Sequence, residues 1–416
     1  MKKMYLCCLG SVLWLLGWSC VAAAAPVPEQ IVLTWSEEPT TTQTISWKMD
    51  TGTGLVQYGE AAARPAATGT FRAIAAQAAV LSTNLGEVKQ FSATLRQLRP
   101  GVRYAYRVGD GVNWSEWRTF KTAAYQPAKL KFLVFGDSQS LNYQVWGNTL
   151  QKAFQANPDA SFMVNMGDLV DVGEDYGQWK SWLNAGQGVV DTIPVVPVVG
   201  NHETYTPNRT FSMPQLFASQ LPVPHNGPAE LRGQVYSLEY GDVHLAVLDS
   251  QIGEERDFVP YSLFLQQEWL KKDLAHSRKP WNLVLTHRPL YGNRKAKDSE
   301  VLRNAFVPIL QEAKVDIVLT AHEHVYARSV PLDGRGNGFP GTIHVATGRS
   351  GTKTYPDPAR QVWNESFYNP VDEPNYLTVE VGRNVLLVKA FKVSGVLLDM
   401  WSLHKLRPAA GSYSVF

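Results

Sequence analysis

The stretch "VDIVLTAHEHVYAR", residues 315–328, runs a strand's length of apolar, β-branched residues into two histidines spaced i, i+2. Imidazoles ligate metals and carry protons, and a neighbouring pair is costly to bury without partners. The same order, an apolar run and then a polar group, recurs upstream. "KLKFLVFGDSQS" ends on Asp137 with Gln139 two residues on, "SFMVNMGDLVD" on Asp168 and Asp171, "IPVVPVVGNHE" on Asn201 and His202, and "WNLVLTHRP" on His287. With His322 and His324, these residues form a mixed oxygen and nitrogen donor set. Such a set suits Zn, Fe or Mn and not a soft copper(I) site. Six or seven ligands exceed what one tetrahedral ion accepts; two ions sharing a carboxylate would use them.

Five runs can serve one centre only if the fold aligns them. In open α/β sheets the loops at the carboxyl ends of parallel strands converge on one crevice. After Lys129 the chain alternates strand-length apolar runs with segments of helical period at residues 143–156, 262–275 and 299–313. That alternation predicts a layered α/β domain. Later runs at residues 341–347, 376–381, 385–391 and 395–401 are expected to add an antiparallel portion. Before it, from Pro26 to Thr122, "QIVLTW", "TISWKM", "GLVQYG", "QFSATL", "RYAYRVGDG" and "EWRTFKT" alternate aromatic and β-branched residues between turn signals. This spacing predicts an all-β, immunoglobulin-like sandwich with Trp35 and Trp47 in its core and a linker at residues 123–129.

Each motif alone has a plainer explanation. Gly109-Asp110 and Gly241-Asp242 repeat the Gly-Asp pair where hairpin turns are expected. Gly-Asn-His-Glu could merely cap a helix. His225, His244, His276, His344 and His404 lack the strand-end context and read as loop, surface or packing residues. The ordered conjunction of five strand ends is what points to chemistry.

The first 25 residues read as a cleavable signal peptide: Lys2 and Lys3, an apolar core around Val12 to Leu16, then "CVAAAAP". All three cysteines (Cys7, Cys8, Cys20) lie within it, so the mature chain has no thiol chemistry although export would permit disulfides. Loss of Lys2 and Lys3 leaves 37 basic against 37 acidic residues, which marks neither a nucleic-acid surface nor a polybasic membrane patch. No later apolar run approaches spanning length, and a hydrophobic content of 44 % excludes a disordered chain.

In this order the motifs resemble those of the calcineurin-like metallophosphoesterases: Asp-x-His or Asp-x-Gly, Gly-Asp, Gly-Asn-His-Glu, a lone His, then Gly-His-x-His. The match runs from about Lys131 to Phe391. A preceding sandwich, "QQEWLKKDLAHSRKPWNLVLTHRPLY" and "GTIHVATGRSG" are similar to the purple acid phosphatase branch. The resemblance implies a four-layer α/β/β/α sandwich at residues 129–405 behind a fibronectin type III-like domain at residues 26–124. It implies an exported phosphatase with two metal ions (Fe, Zn, Mn or Mg) and a small phosphorylated substrate. Asp137 and His324 would hold the first ion, Asp168 would bridge, and Asn201, His287 and His322 would hold the second. A metal-bridging hydroxide would attack phosphorus, with His202 as the non-ligand imidazole facing the phosphate.

Three departures alter that expectation. Asp171 stands where purple acid phosphatases have the tyrosine whose charge transfer to iron gives colour. A colourless enzyme is therefore expected, with Asp171 orienting His202 as in the protein phosphatases, or else capping the next helix. Gln139 replaces the usual His or Gly and would ligate metal through its carbonyl oxygen or touch only bound water. Ala321 replaces a Gly before His322. "HRPLYGNRKAKD" offers Arg288, Arg294, Lys295 and Lys297 as phosphate contacts or as solvated charges. Phosphate monoesters are the expected substrates. The alternatives are diesters, nucleotides or pyrophosphates at the same site, or a non-catalytic exported module binding phosphate or carbohydrate. Oligomeric state is left open.

Overall fold

In the computed structural model, residues 26–61, 71–294, 297–333 and 340–405 are described. Residues 1–25, where a signal peptide is expected and the three cysteines stand, lie outside them, as do Lys295 and the side chain of Lys297. The N-terminal part is a sandwich of two four-stranded sheets. One has the order Glu29–Thr34, Gln43–Lys48, Gly86–Leu95, Gln77–Thr83, and the other Arg72–Ala75, Leu55–Glu60, Arg103–Gly109, Arg118–Lys121. Trp47 stacks on Phe91 at 5.6 Å in the core between them. The strands Arg72–Ala75 and Gln77–Thr83 carry no legible pattern because they are mostly exposed.

Trp35 lies elsewhere. It packs on Phe162 (5.7 Å) and Tyr240 (5.6 Å), inside the core of the second domain. Leu33 N–H donates to Val190 O (2.8 Å), Tyr106 OH donates to Asp191 O (2.7 Å), and Arg118 pairs with the Asp191 carboxylate. The sandwich is thus bonded to the layered domain along a buried seam.

The layered domain has two sheets face to face. The first runs Val195–Pro197, Phe162–Asn165, Leu130–Phe135, Asn375–Val381, Val385–Lys392, Leu397–His404, and the first three strands are parallel. The second runs Tyr236–Tyr240, Val243–Leu248, Trp281–Thr286, Ile317–Thr320, Gly341–Thr347, Tyr326–Ser329, Asn364–Tyr368. Period-two alternation makes the layers. Leu130, Phe132 and Val134 join Leu245, Val247, Leu283, Leu285 and Leu319 between the sheets. Leu133 and Phe135 face outward to the helices Tyr143–Ala156 and Tyr176–Gly186, and Ala246, Val284 and Val318 face Ser262–His276 and Lys297–Glu312. The result is the expected α/β/β/α sandwich behind an all-β domain.

One helix was not expected, and one strand expectation needs correction. The helix Tyr176–Gly186 escapes the sequence pattern because its buried face is built on Tyr176, Trp179 and Trp182 and not on an aliphatic stripe. Gly341–Thr347, expected in an antiparallel portion, pairs in parallel with Ile317–Thr320 and antiparallel with Tyr326–Ser329 and Leu332–Asp333. Its carboxyl end therefore opens on the same side as those of the other parallel strands. Gly241-Asp242 forms the tight turn between Tyr236–Tyr240 and Val243–Leu248, and the Gly109-Asp110 turn is closed by Asp110 accepting from Val112 and Asn113 N–H.

Candidate metal centre

Asp137, Asp168, Asn201, His287, His322 and His324 meet in one buried pit between the two sheets, each just beyond a parallel strand. Two triads of ligand atoms form there. Asp168, His287 and His322 make one, and Asp137, Asp168 and His324 the other, with all ligand atoms of each within 4.8 Å of one another. Asp168 belongs to both.

The loops that present these side chains are strained and braced. Asp137, Asp168, His322 and His324 have φ of 30°, 51°, 69° and 56°, in the left-handed region that non-glycine residues rarely adopt. Such conformations persist where the surroundings over-determine them. Here the Glu203 carboxylate accepts from the backbone N–H of Asp168 (2.9 Å), Leu169 (2.8 Å) and Gly200 (2.7 Å). Burial, followed by the Asp168 charge, pushes the Glu203 carboxyl up to about 8. Gly200 must be glycine because a Cβ would sit 2.3 Å from Asp168 N, and one on Gly167 would sit 2.6 Å from His287 Nδ1. Trp182 Nε1–H and Asn165 Nδ2–H hold Ser138 Oγ (2.9 and 3.0 Å), which fixes the Asp137 loop to the helix behind it.

Hydrogen bonding sets the polarity of the imidazoles. His287 Nδ1–H donates to Met166 O (2.8 Å), leaving the Nε2 lone pair 3.2 Å from Asp168 Oδ2. His324 Nδ1–H donates to Lys353 O (2.7 Å), leaving its Nε2 lone pair 3.3 Å from Asp137 Oδ1. In both contacts two acceptors face each other. Burial, which dominates, holds His324 down at about 3 and His322 well below the usual histidine range, so these rings are neutral donors suited to a metal. A cation placed between ring nitrogen and carboxylate would satisfy both. Burial and then the Asp168 charge push Asp137 up. The donor set therefore fits hard or borderline metal ions, with Asp137 and His324 on one side of Asp168, and His287 and His322 on the other. Asn201 Oδ1 lies 3.0 Å from His322 Nδ1 on the second side.

Gln139 directs its Nε2 at His324 Nε2 (3.2 Å) and Asp168 Oδ2 (3.3 Å), while its buried Oε1 has no partner. Rotating the amide would exchange the two ends and bring the unpartnered oxygen into the pit. Ala321 adds its methyl to the inter-sheet core and donates its N–H to His287 O (2.8 Å).

His202 stands beside the triads. Its N–H donates to Asp168 Oδ1 (2.9 Å), and its Nε2 lies 4.0 Å from Asp168 Oδ2. Its Nδ1 meets the main-chain carbonyl of Asp171 at 2.7 Å and the Asp171 carboxylate at 3.3 Å. The carbonyl thus shares the orienting role expected of the carboxylate. Asp171 does not cap the next helix, which is capped by Asp175. Arg288 and Arg294 are not open to a phosphate either. Arg288 grips Glu254 through two nitrogens (2.6 and 2.9 Å), and Arg294 pairs with Asp357 (3.0 Å) and stacks on Tyr355.

Lys353 is the residue sequence reasoning missed. It follows the strand Gly341–Thr347, a sixth strand end, and its Nζ lies 2.9 Å from His202 Nε2. Its signal was the direction of that strand, which residue types alone do not give. The remaining histidines stay outside the pit: His244 pairs with Asp273 at 2.7 Å, and His344 packs on Tyr291 with neither ring nitrogen hydrogen-bonded.

Comparison with known proteins follows the same division. Residues 130–326 match the calcineurin-like phosphoesterase family, and residues 28–122 match the purple acid phosphatase N-terminal domain. The chain therefore carries a calcineurin-like phosphoesterase domain behind an N-terminal domain of the purple acid phosphatase type. Among relatives it is 29 % identical over 248 residues to purple acid phosphatase 1 of Ipomoea batatas, covering 57 % of this chain and 51 % of that protein. It is 27 % identical over 302 residues to the probable inactive purple acid phosphatase 24 of Arabidopsis thaliana, covering 63 % and 49 %. The chain thus spans about half the length of these curated relatives. A purple acid phosphatase from yellow lupin (Lupinus luteus) seeds shares the fold, with a TM-score of 0.74 at 20 % identity over 91 % of this chain and 74 % of that one. Among the described residues no helix is long and apolar enough to cross a membrane.

Proposed function

We propose that this protein is an exported phosphatase that hydrolyses phosphate monoesters at a dinuclear metal site. The observation that carries the reading is the Asp168 carboxylate, shared by two triads whose imidazole lone pairs face carboxylates. Asp137, Asp168 and His324, with Gln139 beside them, would hold one ion, and Asp168, Asn201, His287 and His322 the other. Bound there, the ions would supply Lewis-acid charge and an activated water.

The chain's own residues do the rest. Main-chain carbonyls hold His287 and His324 in the tautomers that point lone pairs inward. Glu203 keeps the Asp168 and Asn201 loops in register. His202, fixed through Nδ1 by Asp171, keeps Nε2 against the Lys353 ammonium at 2.9 Å, and a proton passed across that contact would reach the leaving oxygen. Among the described residues at the two triads no Ser, Thr or Cys is among the ligand groups, so direct transfer to water is the reaction this reading favours. Asp171 in place of a tyrosine makes the iron-loaded protein colourless.

The test is metal quantification across Fe, Zn, Mn and Mg with hydrolysis of p-nitrophenyl phosphate and its bis-ester in parallel. About two ions per chain with monoester turnover is the expected result. Ions bound without turnover of either ester would instead favour a non-catalytic module, and turnover of the diester alone would move the assignment to phosphodiesters.

A further inference from the structure

We infer that Lys353 is the group that binds the substrate's phosphoryl oxygens beside His202, and that its charge selects dianionic monoesters over monoanionic diesters. This rests on the phosphoesterase reading above and adds a substrate-binding residue to it.

The first support is position. Lys353 Nζ lies 2.9 Å from His202 Nε2 and 3.7 Å from Asp171 Oδ1, and its side chain is 31 % exposed. It is therefore at the mouth of the pit and open to a ligand. The second is polarity. His202 spends its Nδ1–H on the Asp171 carbonyl at 2.7 Å, so Nε2 is a lone pair that accepts from the ammonium. An incoming phosphate would meet that lone pair unfavourably, whereas the ammonium keeps two further N–H donors for it. The third is rigidity. Lys353 O accepts from His324 Nδ1–H at 2.7 Å, Gly351 N–H donates to Asp137 O at 3.0 Å, and Arg349 Nη1–H holds Gly351 O at 2.6 Å. The backbone that carries the charge is thus locked to the same loop and imidazole that define the centre. A positioned point charge acts on phosphoryl oxygens without reorganisation, and its attraction grows with the charge of the ligand. Arg288 and Arg294 are already committed to Glu254 and Asp357, whereas Lys353 approaches Asp171 Oδ1 only to 3.7 Å, beyond hydrogen-bond reach.

The experiment compares metal-loaded wild-type protein with Lys353→Met and Lys353→Arg. Calorimetric titration with inorganic phosphate is run beside kcat/KM for p-nitrophenyl phosphate and bis-p-nitrophenyl phosphate, with metal content measured on each sample. Lys353→Met is expected to keep its metal, to bind phosphate roughly tenfold or more weakly, and to lose roughly a hundredfold in monoester kcat/KM while losing much less on the diester. Lys353→Arg should recover part of the phosphate affinity. Unchanged phosphate affinity and an unchanged monoester to diester ratio in Lys353→Met would overturn the inference. So would loss of metal from that variant, which would make Lys353 a structural brace. The phosphate titration needs no turnover, so a wild-type protein that binds metal and phosphate but hydrolyses nothing would defeat the phosphatase reading and the ester selectivity while leaving phosphate binding by Lys353 to be decided by the titration.

Discussion

The pit and the His244 pair are built from the same residue types and come out opposite in polarity. His244 lies buried in the second sheet, and its Nε2–H donates to Asp273 Oδ2 at 2.7 Å; Asp273 Oδ1 accepts from Ser237 Oγ at 2.6 Å. The imidazole donor and the carboxylate acceptor complete each other there. In the pit the main chain takes the Nδ1–H of His287 and His324, so their Nε2 lone pairs confront Asp168 and Asp137. What separates a structural His–Asp contact from a metal-ready one is which ring nitrogen the main chain claims.

Substitutions in the two places should therefore fail in different ways. Asp168→Asn removes the carboxylate common to both triads. It is expected to reduce monoester turnover by roughly two to three orders of magnitude and to lower bound metal, read by elemental analysis and a chromogenic assay. Turnover near the wild-type level with full metal would break the assignment. Glu203→Gln lies one step back. Its amide would turn N–H groups toward backbone donors that now meet a carboxylate, and a roughly tenfold loss of metal affinity in chelator competition is expected. An unchanged affinity would show that the loops hold themselves.

Asp273→Ala should show the converse. His244 Nε2–H and the Ser237 hydroxyl lose their acceptor, so unfolding in denaturant should report a loss of about 1–3 kcal/mol, with metal content and turnover intact. A catalytic defect there would erase the distinction drawn above.

A third arrangement gives the smallest effect. Asp249 and Glu255 are buried together around Gln234, whose Nε2 donates to both carboxyls. Burial, followed for Glu255 by the Asp249 charge, pushes Glu255 up to about 10; burial pushes Asp249 up to about 6. The folded protein therefore keeps protons that the unfolded chain releases. Their contribution to stability is complete below the unfolded carboxyl range and declines as pH rises towards these folded values. Melting temperature should fall between about pH 5 and about pH 8, and more shallowly in Glu255→Gln, which keeps the neutral shape. An equal slope in both proteins would contradict a proton held on Glu255.

Much of this was legible in the sequence, because strand ends carry chemistry in chain order. Asp137, Asp168, Asn201, His202, His287, His322 and His324 all announce themselves by following an apolar run. The layered fold follows from the same runs, since period two sends Phe132 and Val134 inward while Leu133 and Phe135 face the helices. What stayed hidden depends on pairing and direction. The exposed strands Arg72–Ala75 and Gln77–Thr83 have no apolar face to read. Gly341–Thr347 is apolar under either orientation, and only its parallel pairing brings Lys353 into the pit. Trp35 reads as core but not as whose core, because the seam between the two domains is a tertiary fact. The preference of His202 for the Asp171 carbonyl is invisible for the same reason.

The central claim is that Asp168 is shared by two ions, and anomalous diffraction from crystals of the wild-type protein grown with manganese tests it most directly. The account predicts two anomalous peaks roughly 3.5–4 Å apart with Asp168 between them, one toward Asp137 and His324 and the other toward His287 and His322. A single peak, or peaks away from Asp168, would contradict it.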